Sequence, residues 1–140
     1  MLTDLQRQLI RESWARITPR AAPVAAAFYD RLFQLSPEVQ PLFAHADMTQ
    51  QQAKLVQALA LVVAHIDRFD AISGAVAELG RRHAGYGVRT EHYDLVGRAL
   101  LETLAEGLGD DFTPALRDAW AAAFGAVAQT MQDGAAVRAA

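Results

Sequence analysis

Cysteine is absent from this chain of 140 residues, which excludes a disulfide framework and any thiolate metal site and suits a reducing cytosol. Lysine occurs once, as Lys54, with no glycine-rich turn to cradle phosphate; a serine nucleophile in a glycine elbow is lacking too. The apolar stretches 55–66 and 119–131 are too short and too broken by polar residues to span a bilayer. The opening residues, Met1-Leu2-Thr3-Asp4-Leu5-Gln6, carry neither the basic flank nor the apolar run of a secretory leader. Neither sign of charge dominates. Thirteen basic against sixteen acidic residues give a net charge of -3, and the arginines are scattered, not gathered into a stripe. Nucleic-acid and membrane partners are therefore not expected, and the expected location is cytoplasmic.

What the chain does have is 52% hydrophobic and 21% charged residues, the balance of an ordinary globule able to bury one core. The expectation is a single domain over 1–140 with 1–3 and 134–140 frayed. No stretch alternates as a strand would, so the chain reads as all-α. A helix is expected from Thr3, capped with Gln6, to the stop at Pro19, and a second over 21–35 with Phe28, Tyr29, Leu32 and Phe33 on its apolar stripe. Ser36-Pro37 caps and starts a short third piece ending at Leu42-Phe43. Thr49 with Gln52 caps a long helix carrying Leu55, Leu59, Val62, Val63 and Ile66. A helix over 70–84 stops at Gly85-Tyr86-Gly87. Thr90 caps the next, which Gly109 ends, and Thr113-Pro114 opens the last. These stripes suit either an up-and-down bundle or an angled helical sandwich, and the uneven lengths lean towards the sandwich.

The metal-ligand candidates are His45, His65, His83 and His92, and no two share the i, i+4 spacing with an intervening carboxylate of a zinc hydrolase. Carboxylates fall at helix starts and on outer faces, which removes paired-acid catalysis. His83 stands apart because it precedes a sharp glycine break, from which its ring can point across a cavity; a histidine favoured by the helix macrodipole fits the same spacing.

Four segments in order, Phe28-Tyr29-Asp30-Arg31-Leu32-Phe33, Ser36-Pro37-Glu38-Val39-Gln40-Pro41-Leu42-Phe43, Arg82-His83 with Tyr86-Gly87-Val88, and His92-Tyr93-Asp94-Leu95-Val96-Gly97, resemble the bacterial single-domain globins and the haem domains of flavohaemoglobins. The run Leu79-Gly80-Arg81-Arg82-His83 is most similar to the thermostable, methanotroph-type branch. The resemblance covers nearly the whole chain, from Leu5 to about Met131. It implies a globin fold, a helical sandwich around haem b (iron protoporphyrin IX), with His83 as the proximal iron ligand and Phe43 stacked on the porphyrin. Tyr29 and Gln51 are implied as the distal polar pair and Leu55 as the apolar residue over the iron; the competing register uses Gln52 and Val56. Val88 is expected beside the cofactor and Arg82 near a propionate. Tyr93 is expected to reach towards His83, whereas the glutamate that completes this network in the family falls at Ala135 here.

The implied function is reversible binding of O2, NO or CO at a five-coordinate iron, for oxygen binding, transport or storage, or for NO detoxification. Because the sequence stops at Ala140, sustained NO dioxygenation is expected to draw electrons from a separate reductase. A gas sensor or interaction module signalling through a partner protein is the alternative. The expected assembly is a monomer or weak homodimer. His45, His65 and His92 are read as loop, helix-end and helix-start residues, and Trp14, Trp120 and Phe124 as core.

Overall fold

The structure, a computed structural model, describes residues 2–139, with side chains to residue 136. Met1 and Ala140, both within the segments expected to fray, lie outside the described residues. Six α-helices follow one another: α1 (Asp4–Ile17), α2 (Ala21–Leu35), α3 (Met48–Ala64), α4 (Ser73–Gly85), α5 (Thr90–Leu108) and α6 (Pro114–Ala139). Short 3-10 turns at Thr18–Arg20, Pro37–Phe43, Phe69–Ala71 and Gly109–Asp111 join them, and no strand occurs among the described residues.

Most boundaries follow local chemistry. Thr3 caps α1 reciprocally: its hydroxyl accepts from the Gln6 amide while the Gln6 side chain accepts from the Thr3 amide, both at 3.0 Å. Thr3 is thus held at a helix start where fraying was expected. Thr113 accepts from the Leu116 amide at 3.2 Å as α6 opens, and Gly109 ends α5 with φ at +58°.

Three caps and one helix start differ from expectation. Asp47, not Thr49, starts α3, its carboxylate accepting from the amides of Thr49 and Gln50 at 2.9 and 3.2 Å; an acceptor one residue ahead of the first turn reaches two orphan amides at once. The Ser36 side chain makes no cap bond and is buried. The α5 start is served by the ring of His92, whose Nδ1 accepts from the Arg89 amide at 2.9 Å, in place of the Thr90 hydroxyl. Helix α4 begins at Ser73, after the turn at 69–71. At the other end, Gly134 lies buried inside α6 and does not begin a frayed tail.

Buried positions recur every three or four residues: Ile10, Ser13 and Ile17 in α1, Ala25, Phe28, Tyr29 and Leu32 in α2, and Leu100, Thr103, Leu104 and Leu108 in α5. Helix α2 crosses α5 and α3, α1 lies on the first half of α6, and α4 lies on α6. Two cores result. The larger gathers Ile10, Ile17, Phe28, Leu32, Leu104 and Trp120, with Trp14 and Phe124 packed against it. The smaller, Ile72, Val76 and Met131, fastens α4 to α6, and Val62 packs against both. Each fully buried aliphatic side chain contributes about 1.5–3 kcal/mol.

Candidate functional site

Tyr29 sits on α2 among aromatic rings. Phe28 and Phe43 meet it edge-on at centroid distances of 5.0 and 5.6 Å, and Phe33 lies 6.2 Å away. These rings keep water from the phenol, and that burial raises its pKa above the ordinary tyrosine value while the hydrogen bond from Gln51 opposes the rise. Gln51, on the first turn of α3, donates from Nε2 to the Tyr29 hydroxyl at 3.2 Å. Since the oxygen is the acceptor in that bond, the phenolic proton remains available to a further partner. Leu55, one turn on, packs against the large core, and the Gln52 side chain makes no hydrogen bond among the described residues. The structure therefore brings Tyr29 and Gln51 together.

His83 lies on the last turns of α4. Its Nδ1 is 2.8 Å from the carbonyl oxygen of Leu79. A carbonyl only accepts, so the proton belongs on Nδ1 and the lone pair is left on Nε2. Burial of the ring pushes its pKa below the usual imidazole value; the Leu79 carbonyl works against that, and the charge of Arg82 adds to it. A half-buried, neutral imidazole with a free Nε2 is the donor that an axial iron site needs, which makes the residues present a fit for haem.

Beyond His83 the chain reverses. The amide of Val88 donates back to the His83 carbonyl at 3.1 Å, and Gly87 adopts φ of +95°, a conformation side chains resist. A β-carbon on Gly87 would stand 3.4 Å from the Leu42 side chain. The turn that follows His83 thus lies close to the side chain of Leu42, the residue before Phe43. Val88 and Phe43 are half-buried, and Arg82 is exposed. The Tyr86 ring, 6.2 Å from the imidazole, is 67% exposed.

Tyr93 packs on the small core, as does Leu79, and no hydrogen bond joins it to His83 among the described residues. Burial raises its phenol pKa. The other histidines are accounted for elsewhere: His65 ends α3 with Nδ1 3.0 Å from the Leu61 carbonyl, His92 starts α5, and His45 lies exposed before α3. No group of three or more metal-ligating side chains occurs among the described residues.

The sequence profile of the globin family matches residues 26–131. The chain belongs to the globin family. Its globin fold is similar in sequence to the flavohaemoprotein of Vibrio cholerae, 33% identical over 135 residues that cover 95% of this globin and 34% of the relative. The flavohaemoprotein of Bordetella pertussis is 35% identical over 133 residues, 94% of this globin and 33% of the relative. That of Bacillus subtilis is 31% identical over 130 residues, 91% and 33% respectively. The globin spans about a third of the length of these relatives. No helix among its described residues is long and apolar enough to cross a membrane.

Sequence reasoning missed two residues that seat α4. Gly80 and Gly134 face backbone of the opposite helix, and the available signal was a glycine inside each helix with alanine one turn away or next to it, at Ala77 and Ala135.

Proposed function

We propose that this globin holds haem b through Nε2 of His83 and binds O2, NO or CO on the side facing Tyr29 and Gln51. The observation that carries the reading is the pairing of a half-buried neutral imidazole with a buried phenol whose proton is uncommitted. When bound, the haem iron supplies reversible coordination of a diatomic gas. The Leu79 carbonyl holds the His83 proton on Nδ1, which keeps Nε2 a donor. Tyr29 offers its phenolic proton to a ligand that gathers negative charge, and Gln51 fixes the phenol by donating to its oxygen. Phe28, Phe33 and Phe43 exclude water around that proton, so it is held ready without competition from solvent.

Phe43, Leu55, Val88 and Tyr93 form the apolar walls of the cofactor site, with Arg82 offered to a propionate at its exposed edge. The physiological role is oxygen binding or NO detoxification, the second as NO dioxygenation with electrons from a separate reductase; similarity to flavohaemoproteins supports this reading.

Absorption spectra of the ferrous protein with and without O2 and CO test the proposal. The parent is expected to show a five-coordinate deoxy spectrum that converts cleanly with each gas. His83→Ala is expected to lose haem or become dependent on added imidazole. Retention of the parent spectrum by His83→Ala overturns the assignment of the ligand.

A further inference from the structure

Helices α4 and α6 touch main chain to main chain at two points. A β-carbon on Gly80 would lie 2.0 Å from the Met131 carbonyl oxygen, and one on Gly134 would lie 2.2 Å from that of Ala77. Both separations are far inside any real contact, and the obstacle is backbone, which has no rotamer to change. The contacts are reciprocal: moving from Ala77 to Gly80 along α4 corresponds to moving from Gly134 back to Met131 along α6. They mark one antiparallel crossing. Ile72, Val76 and Met131 pack around it as a small core.

His83 stands about one turn beyond Gly80. Among the described residues, the one hydrogen bond of its ring is made within its own helix, to the Leu79 carbonyl, and therefore moves with that helix. Tyr93 does not bond to the ring, and Ala135, next to Gly134, carries no carboxylate. The ring's external reference is the seat of α4 itself. A crossing made of side chains can slide as rotamers change, whereas a crossing made of backbone cannot separate or rotate by small steps.

We propose that Gly80 and Gly134 are positioning residues for His83, fixing the height and rotation of α4 on α6 so that main-chain contact, and not a hydrogen-bonded partner, sets where the imidazole stands. The inference rests on the reading of His83 as the iron ligand. Any side chain at either glycine lifts α4 away from α6 and carries the imidazole with it.

The test compares Gly80→Ala and Gly134→Ala with Gly74→Ala and Gly125→Ala, which lie in the same two helices with nothing within 4 Å of an added β-carbon. Val76→Ala serves as a variant that loosens the small core without touching the crossing. Two signals are read: the ring nitrogen shifts of His83 in the haem-free protein, by NMR, and the iron–histidine stretching frequency of the ferrous haem-loaded protein. Gly80→Ala and Gly134→Ala are expected to move both signals beyond the spread of the two glycine controls. Val76→Ala is expected to lower Tm and leave both signals in place. Gly134→Ala, whose contact lies farther from His83, carries the test if Gly80→Ala does not fold. Glycine variants that lose Tm yet keep both signals at control values overturn the inference. A parent-like spectrum in His83→Ala removes the ligand reading beneath it, so the two failures are distinguishable.

Discussion

The two sides of the site are built by different means. On the side of Tyr29, aromatic and aliphatic side chains packed into the large core hold one phenol, and one amide steadies it. On the side of His83, two helices meet backbone to backbone beside a core of three buried side chains. The first side can exchange functional atoms while its packing persists, because rings and methyl groups fill the space around them. On the second, the backbone crossing and the position of the His83 ring are one object, so a change at the crossing moves the ring, whereas a change in the small core beside it lowers stability alone.

The largest expected effect separates the cores. Leu104→Ala, at 1% exposure, should cost about 3 kcal/mol of global stability by loss of transfer energy and the cavity left behind. Val76→Ala, at 3% exposure, should cost about 2 kcal/mol and appear first as lost amide protection in α4. Denaturant titration with hydrogen exchange measures both. Equal loss of protection in every helix for both variants would show a single cooperative core and end the distinction.

Next comes Tyr29→Phe, which removes the hydroxyl and keeps the ring. A donor aimed at a charged ligand is worth about 1.5–3 kcal/mol, so O2 dissociation should quicken by at least ~10-fold, the factor matching about 1.4 kcal/mol. CO dissociation should change much less, and the unfolding midpoint should barely move. Gln51→Leu acts in the same direction, and the double variant falls short of the sum because both groups share one bond. Stopped-flow traces with O2 leaving both single variants at the parent rate would remove the phenol from the ligand's surroundings.

Asp47→Ala should cost about 1 kcal/mol, the usual worth of an N-cap. It loosens the turn that carries Gln51, so O2 should leave modestly faster while CO is unaffected. An unchanged O2 rate at reduced stability would detach the cap from the site.

The smallest effect is in pH. The folded His83 pKa lies below its usual 6.5, so the stability tied to its neutral ring is full above that value and is lost as pH falls through the folded pKa. Tyr29 and Tyr93 are shifted upward from 10.0; the stability tied to their neutral phenols is full below that value and is lost as pH rises through their folded pKa. Unfolding of the haem-free protein should therefore ease in acid for the parent but less so for His83→Gln, and in alkali less so for Tyr29→Phe with Tyr93→Phe. Variants that track the parent at both ends would assign the pH dependence to other groups.

The all-helical class was legible because apolar periodicity survives in every helix, as at Ala25, Phe28, Tyr29 and Leu32. The break after His83 was legible too, since Gly87 has to take a conformation few residues accept. Caps were less so. Thr49 and Asp47 offer similar acceptors two residues apart, and only the path of the backbone decides which oxygen meets the amides. The resemblance pointed to Tyr29 and Gln51, whose bond appears in the structure, but not to the Leu79 carbonyl as the partner of the His83 ring, which depends on the ring's rotamer within α4. The crossing at Gly80 and Gly134 was hidden for a related reason. A glycine within a helix reads as a weakness until the opposing helix is known.

Trp120 donates its indole hydrogen to the hydroxyl of Ser13, 107 residues earlier, at 2.9 Å, in the buried interior where Ser13 also donates to the Ile10 carbonyl. During synthesis α1 emerges before α6 and must wait with part of its apolar face uncovered until α6 has been made. Completion of the large core is thus tied to the emergence of α6, and the indole fluorescence of Trp120 becomes a clock for that closure. A ribosome stalled short of residue 120 would display α1 to chaperones; one stalled well beyond it would not.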